Sequence, residues 1–160
     1  MKPIPNHGSN DCFGCGANNP HGLQMDFFTD GDTVHSTVIV PAHLSGWNQV
    51  THGGVVSTIL DEIMAWGAIY LLKRITLTKS MSIEYLKAVP VDEELKVTGR
   101  VLEKINRRDV RMEGLLTNSK GALLAKSIGT FAMFDPPVAK RLGIMNEWDI
   151  EHFFKPILEL

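Results

Sequence analysis

Thr51-His52-Gly53-Gly54 runs straight into Val55-Val56-Ser57-Thr58-Ile59-Leu60-Asp61-Glu62-Ile63-Met64-Ala65-Trp66, and the reading of this stretch decides the fold. Two glycines after a histidine suit the tight entry to a helix whose first amides approach a ligand closely. From about Gly54 to Lys73, apolar residues cover most of the helical circumference, so the predicted helix is buried rather than amphipathic. An ionisable Asp61 on such a helix is costly unless it is paired, hydrated or used. One stripe differs from the rest. Gly54, Ser57 or Thr58, Asp61, Ala65 and Ala68 recur at three- and four-residue steps and share a face. That face is either a close-packing seam or the floor of a groove, and Asp61 in its middle favours the groove.

After the helix the period changes to two. Ile75, Leu77, Met81, Ile83 and Tyr85 alternate with hydroxyl and charged residues, which predicts a half-buried strand closed by Ala88-Val89-Pro90. Strands follow over Leu95–Ile105, Val110–Leu116 and Leu123–Phe134, separated by the turn signals Asn106-Arg107-Arg108-Asp109 and Asn118-Ser119-Lys120-Gly121. Residues 135–160 read as a tail of one or two short helices. On the N-terminal side, Leu23–Thr29 and Thr33–Val40 form a predicted hairpin around Asp30-Gly31-Asp32, and residues 42–50 form a loop or short helical turn. Residues 1–22 are dense in Pro, Gly and Asn and read as a turn-rich lead-in. One buried helix with a long antiparallel meander implies a single α+β domain over residues 1–160, a curved sheet wrapped around the helix.

Composition narrows the function classes. The chain has 160 residues, 44% hydrophobic and 21% charged, with a formal net charge of −2. Nothing in that balance steers it towards nucleic acid or a membrane. The apolar run after Asp61 ends at Lys73-Arg74, too short by itself to span a bilayer. Cys12 and Cys15 are too close to build a disulfide framework, which points to a reducing, cytoplasmic setting. With His7 and His21 they are conceivable metal ligands, but the spacing lacks a second ligand pair in register. The plainer reading is two small buried thiols, and the expectation is no metal.

His52-Gly53-Gly54 with Asp61 on the following helix, and the strand ending Ile83-Glu84-Tyr85, resemble the hotdog-fold acyl-CoA thioesterases. The group is that of the phenylacetyl-CoA thioesterases and the human thioesterase-superfamily members. The resemblance covers about residues 12–134, including the lead-in Cys12-Phe13-Gly14-Cys15-Gly16 through Asn19-Pro20-His21-Gly22-Leu23. It implies a hotdog fold, a homodimer or homotetramer with active sites at the dimer seam, and hydrolysis of an acyl-CoA thioester without metal or organic cofactor. It also implies roles for residues. The Gly53 amide would donate to the oxyanion, and Asp61 would act as general base or nucleophile. His52 would shape the turn or hydrogen-bond near the carbonyl. Thr78 matches a family position where Ser or Thr from the partner chain positions the water. Strict alternation puts Thr78 on the face opposite Met81 and Ile83, so reaching the site requires a bulge or an edge geometry. Some members carry an asparagine six residues before the histidine; here Gly46 stands there, with Asn48 nearby. Gly54, Asn48, Ser57 and Ala65 are the expected substrate contacts.

Plainer readings stand beside these. An Asp on a buried helix also serves to pair with a lysine, and Glu62, about a quarter-turn away, reads as an ion-pair or solvent residue. Trp47, Trp66, Met64 and Tyr70 could line an acyl pocket, yet apolar residues at helical spacing are more often core. Arg107, Arg108 and Lys87 could meet CoA phosphates, though scattered basic residues are usually solvated. Two other functions fit the fold: an acyl dehydratase or hydratase, and a non-catalytic acyl-CoA-binding module. The Gly-Gly entry with Asp nine positions after the histidine argues against the first, and the presence of both Gly53 and Asp61 against the second.

Overall fold

The computed structural model describes residues 1–6 and 11–160. Helix α1 (Gly53–Leu72) is the axis of the molecule, and its inner residues Ile59, Leu60, Ile63 and Met64 are fully buried. Around it bends a seven-stranded sheet in the order β1 (Lys2–Ile4), β2 (Phe27–Thr29), β3 (Val34–Ile39), β7 (Glu94–Lys104), β8 (Asp109–Asn118), β9 (Leu123–Phe134) and β6 (Ile75–Tyr85). All six neighbouring pairs are antiparallel. This is the α+β hotdog architecture, with the helix wrapped by the sheet. By length and composition alone the whole of α1 would cross a membrane, because it begins eight residues before Asp61; here it is the core helix of the sheet.

Helix and sheet approach closely because glycines line the contact. Gly99 and Gly114 are paired directly across β7 and β8. A Cβ on Gly99 would lie 2.5 Å from the Ile63 carbonyl oxygen, and one on Gly114 would crowd Ile63, Met64 and Leu60 at 3.2–3.3 Å. Backbone therefore seats on backbone, which fixes the height of α1 over the sheet. Trp66 stacks on Phe27 at 4.5 Å and meets Phe153 edge-on at 5.3 Å. Trp66 and Met64 are thus core residues.

The helix ends are fixed locally. His52 is the N-cap, its Nδ1 accepting from the Gly54 amide at 2.9 Å. Lys73 closes the helix in the left-handed conformation at φ 54°, and its ammonium donates to the Ile157 carbonyl at 2.7 Å. That bond ties the C-terminal tail to the helix end. The tail consists of α2 (Pro136–Arg141) and a helical stretch over residues 147–158 with a π-turn at Ile150–Phe154.

Strands β6 and β9 have the expected bounds, and α1 begins one residue early. Two expectations at the N-terminus are corrected. The lead-in is not all turn: Lys2–Ile4 forms an edge strand paired with β2. The first predicted strand shortens to Phe27–Thr29, since Gln24 adopts a positive φ of 49° that breaks extension, although Leu23 and Met25 stay buried. Between β3 and α1 come a 3-10 turn (Ala42–Leu44) and a small hairpin, β4 (Ser45–Trp47) with β5 (Val50–Thr51).

Candidate active site

The site is built where edge strand β6 crosses α1. Thr78 pairs with Phe131 and Ser80 with Thr130, so Lys79 is an extra residue, a bulge in β6. The bulge switches the strand's parity. Before it Thr78 faces α1, opposite core residue Phe131; after it Met81, Ile83 and Tyr85 take that face, opposite Gly129, Ser127 and Ala125. Thr78 thereby reaches Asp61, its Oγ1 donating to Oδ1 at 2.7 Å. Both residues belong to one chain, whereas the resemblance implied a hydroxyl supplied by a partner. Asp61 is half-buried, and burial raises its pKa above the ordinary aspartate range, while the Thr78 hydrogen bond pulls it partly back. The result is a carboxylate held in place by one donor and biased towards accepting a proton.

A second cluster forms at the start of α1. The Gly54 amide is occupied by His52, and the Val55 and Val56 amides by the His52 carbonyl. Among the described residues the Gly53 amide has no acceptor, and it lies exposed at the positive end of a twenty-residue helix. Tyr85 supports it. Its hydroxyl donates to the Gly53 carbonyl at 3.1 Å and shares a hydrogen bond with Ser57 at 3.0 Å. A cavity of about 320 Å³ opens beside Gly53, lined by Thr51, Val56, Tyr85 and the segment 86–89. Tyr85 is a site residue that the sequence reading used only as a landmark; its position seven residues after Thr78 carries no local mark of that role.

The remaining candidates separate. Ser57 sits between the two clusters through Tyr85. Asn48 is exposed in the turn between β4 and β5 beside Trp47, which is 84% exposed. Gly46 packs against His52, where an added Cβ would lie 3.3 Å from its Cα. Ala65 faces a different cavity, of about 270 Å³, shared with Cys12, Cys15, Glu62 and Trp66. Ala68 is fully buried, so the small-residue stripe is a groove only over its first half. Glu62, expected to be an ion-pair or solvent residue, instead turns into the lead-in: the Cys12 thiol approaches its Oε1 at 3.6 Å, and burial first, then the nearby Cys12 charge, push it up to about 8. Tyr70 lies under the Lys73 ammonium at 4.2 Å. Arg107 and Arg108 line a cavity of about 740 Å³ with Arg74, Lys79 and Arg141, remote from both Gly53 and Asp61 in its lining. His21 is exposed, and His7 lies outside the described residues.

Comparison with known proteins follows the same lines. The sequence model of the thioesterase superfamily matches residues 48–125, which hold both clusters. A thioesterase superfamily protein, RHA08564, superposes with a TM-score of 0.68 at 22% identity, over 77% of this chain and 60% of its own. The chain therefore spans less than two thirds of that relative. The conserved protein PA5202 from Pseudomonas aeruginosa gives 0.61 at 28% identity, over 70% and 90% of the two chains. A hypothetical thioesterase from Streptococcus pneumoniae, solved with coenzyme A, gives 0.63 at 24% identity over 69% and 85%. The same streptococcal protein is also known as a threonine-to-alanine and an aspartate-to-alanine variant. No curated protein matches this chain significantly. With the superfamily model lying over both clusters and a sheet wrapped around a central helix, the chain has the hotdog fold and is similar to the thioesterase superfamily over residues 48–125.

Proposed function

We propose that this protein hydrolyses an acyl-CoA thioester to coenzyme A and a carboxylic acid. The observation that carries the proposal is the Thr78–Asp61 hydrogen bond, made by a bulge in the edge strand and facing an open surface. Asp61 takes the proton from an attacking water, or attacks the thioester carbon itself, with its raised pKa matched to the first role. Thr78 holds the carboxylate in one rotamer and helps place the water. The Gly53 amide, backed by the helix dipole, stabilises the oxyanion. The streptococcal relative supports the substrate class through its bound coenzyme A.

A single chain does not complete this site. Gly53 and Asp61 are about 12 Å apart along the helix, at about 1.5 Å per residue. A donor on the oxyanion and an acceptor on the attacking water each lie about 3 Å from their oxygens, which are themselves about 3 Å apart, so the two sit within about 9 Å of each other. Two antiparallel copies of α1 meeting across β6 bring Gly53 of one to Asp61 of the other. The free edge fits that arrangement. On β6 Leu77 is 46% and Tyr85 54% exposed, and neighbouring Ile128 on β9 is 47% exposed. An unpaired edge with apolar side chains is a pairing surface. The edge supports a homodimer, or a tetramer of two such dimers, as the proposed assembly.

The direct test is release of free thiol from a panel of acyl-CoA esters by purified protein, beside the Asp61→Asn variant. Turnover that collapses in the variant supports the proposal. Turnover that survives removes Asp61 from the mechanism, and binding without turnover reassigns the protein as a binding module.

A further inference from the structure

The second carboxylate of α1 is not used by the proposed reaction. Glu62 faces Cys12 and Cys15, and one ligand atom from each lies within 4.8 Å of the other two. The two sulfurs are 3.1 Å apart, and Cys12 Sγ is 3.6 Å from Glu62 Oε1. A tetrahedral zinc ion with bonds of about 2.3 Å to sulfur and about 2.1 Å to oxygen needs edges of about 3.5–3.8 Å. The Cys12–Cys15 and Cys12–Glu62 edges are within about 0.7 Å of those lengths.

The local backbone is already arranged for a bound sulfur. In Cys12-Phe13-Gly14-Cys15-Gly16 the chain turns so that the Cys15 amide donates to Cys12 Sγ at 3.3 Å and the Gly16 amide to the Cys12 carbonyl at 3.0 Å. Gly14 leaves room for the carboxylate opposite, since a Cβ there would lie 2.2 Å from Glu62 Cγ. The lead-in is pinned in this position by Leu23 and Met25 amides on the Phe13 and Gly14 carbonyls, and by the Asn6 side chain on the Cys15 carbonyl. Among the described residues no Lys, Arg or His pairs with Glu62. Three ionisable groups thus converge with no cation among the described residues. A disulfide would consume both sulfurs and leave Glu62 without a counter-charge; a divalent ion satisfies all three. The sulfur ligands select a borderline-soft ion over magnesium or calcium. The adjoining cavity of about 270 Å³, lined also by Asn6, Trp66 and Met145, leaves room for a water as fourth ligand.

We propose that Cys12, Cys15 and Glu62 form a zinc site that clips the N-terminal lead-in to the middle of α1. Binding releases to solvent the protons that the Cys12–Cys15–Glu62 cluster holds and forms two zinc–sulfur bonds and one zinc–oxygen bond to Glu62. The clip is structural: it secures the helix turn that carries Asp61 without touching the substrate.

The test uses the reduced full chain titrated with Co²⁺ and then Zn²⁺. One equivalent of Co²⁺ should produce thiolate-to-cobalt charge transfer and intense tetrahedral visible bands, both abolished by Zn²⁺. Glu62→Gln should alter the visible bands and weaken Zn²⁺ binding by at least about 100-fold, since even outer-shell partners contribute about 10–100-fold. Cys12→Ser should abolish the charge transfer, with circular dichroism reporting whether it folds. Titration of wild-type Zn²⁺-loaded protein with an organomercurial gives an answer independent of any variant: one zinc should leave as two thiols react. A reduced protein without charge transfer, a spectrum unchanged in Cys12→Ser, or thiols that react without releasing zinc would each overturn the site. So would isolation of the chain with a Cys12–Cys15 disulfide that excludes metal.

Discussion

Asp61 and Glu62 are adjacent carboxylates on the same helix, both half-buried and both raised in pKa by desolvation. One residue of helix rotates them about 100° apart, which is enough to give them different neighbours. Asp61 faces the bulged edge strand and receives a hydroxyl from Thr78; Glu62 faces the lead-in and meets two thiols. Burial is common to both and so decides neither role. What differs is the segment packed against each: a strand open to a second chain in one case, a closed Cys-containing turn in the other.

The largest expected effect separates the two carboxylates. Asp61→Asn should lower kcat by about 10²–10⁴-fold, the contribution of a positioned general base. Glu62→Gln should leave kcat near wild type in protein confirmed to be folded. Equal losses in both variants would break the distinction.

Gly53→Ala comes next. In the folded chain the nearest atoms to the added Cβ are the Tyr85 ring and hydroxyl, at an ordinary 3.7–3.8 Å, so the melting temperature should be unchanged. The methyl group stands in the path of a thioester approaching the amide, and kcat/KM should fall by about 10²-fold, the cost of a misplacement near 1 Å. Steady-state kinetics beside thermal unfolding tests this.

Thr78→Ala should cost about tenfold in kcat/KM, the lower range for a hydrogen bond to a charged group. Its sharper signature lies in pH. The Thr78 donor favours the ionised carboxylate and lowers its pKa against desolvation. Without it the pKa rises further, so the acid limb of the kcat/KM profile moves to higher pH. A limb that stays in place would mean that the titrating group is not Asp61.

The smallest effect is predicted for Tyr85→Phe. It removes the hydroxyl bonds to Gly53 and Ser57, both at an exposed position, and should cost no more than about 1 kcal/mol in chemical denaturation.

Much of this was legible from residue order. The period change at Ile75 marks the true end of α1 and start of β6, because burial of a whole helix and of one strand face leave different spacings. The Lys2–Ile4 strand was hidden by Pro3 and Pro5, which lack the N–H a ladder needs, yet an edge strand tolerates proline where no ladder partner is needed. Alternation alone put Thr78 on the wrong face. A bulge was named as the geometry that would bring it round, but nothing local in Thr78-Lys79-Ser80 marks one. Glu62 was misread for a different reason: its partners lie about fifty residues away, in a segment with no periodicity to place it.

The central claim is that each site joins Asp61 and Thr78 of one chain to Gly53 of another. It is tested most directly by a heterodimer of one Asp61→Asn chain and one Gly53→Ala chain, purified through two different tags. Each parent homodimer should be impaired. The twofold arrangement leaves the heterodimer with one intact site, so its kcat should recover to about half of wild type. A heterodimer no more active than its parents would contradict the account, because it would place Gly53 and Asp61 in the service of the same chain.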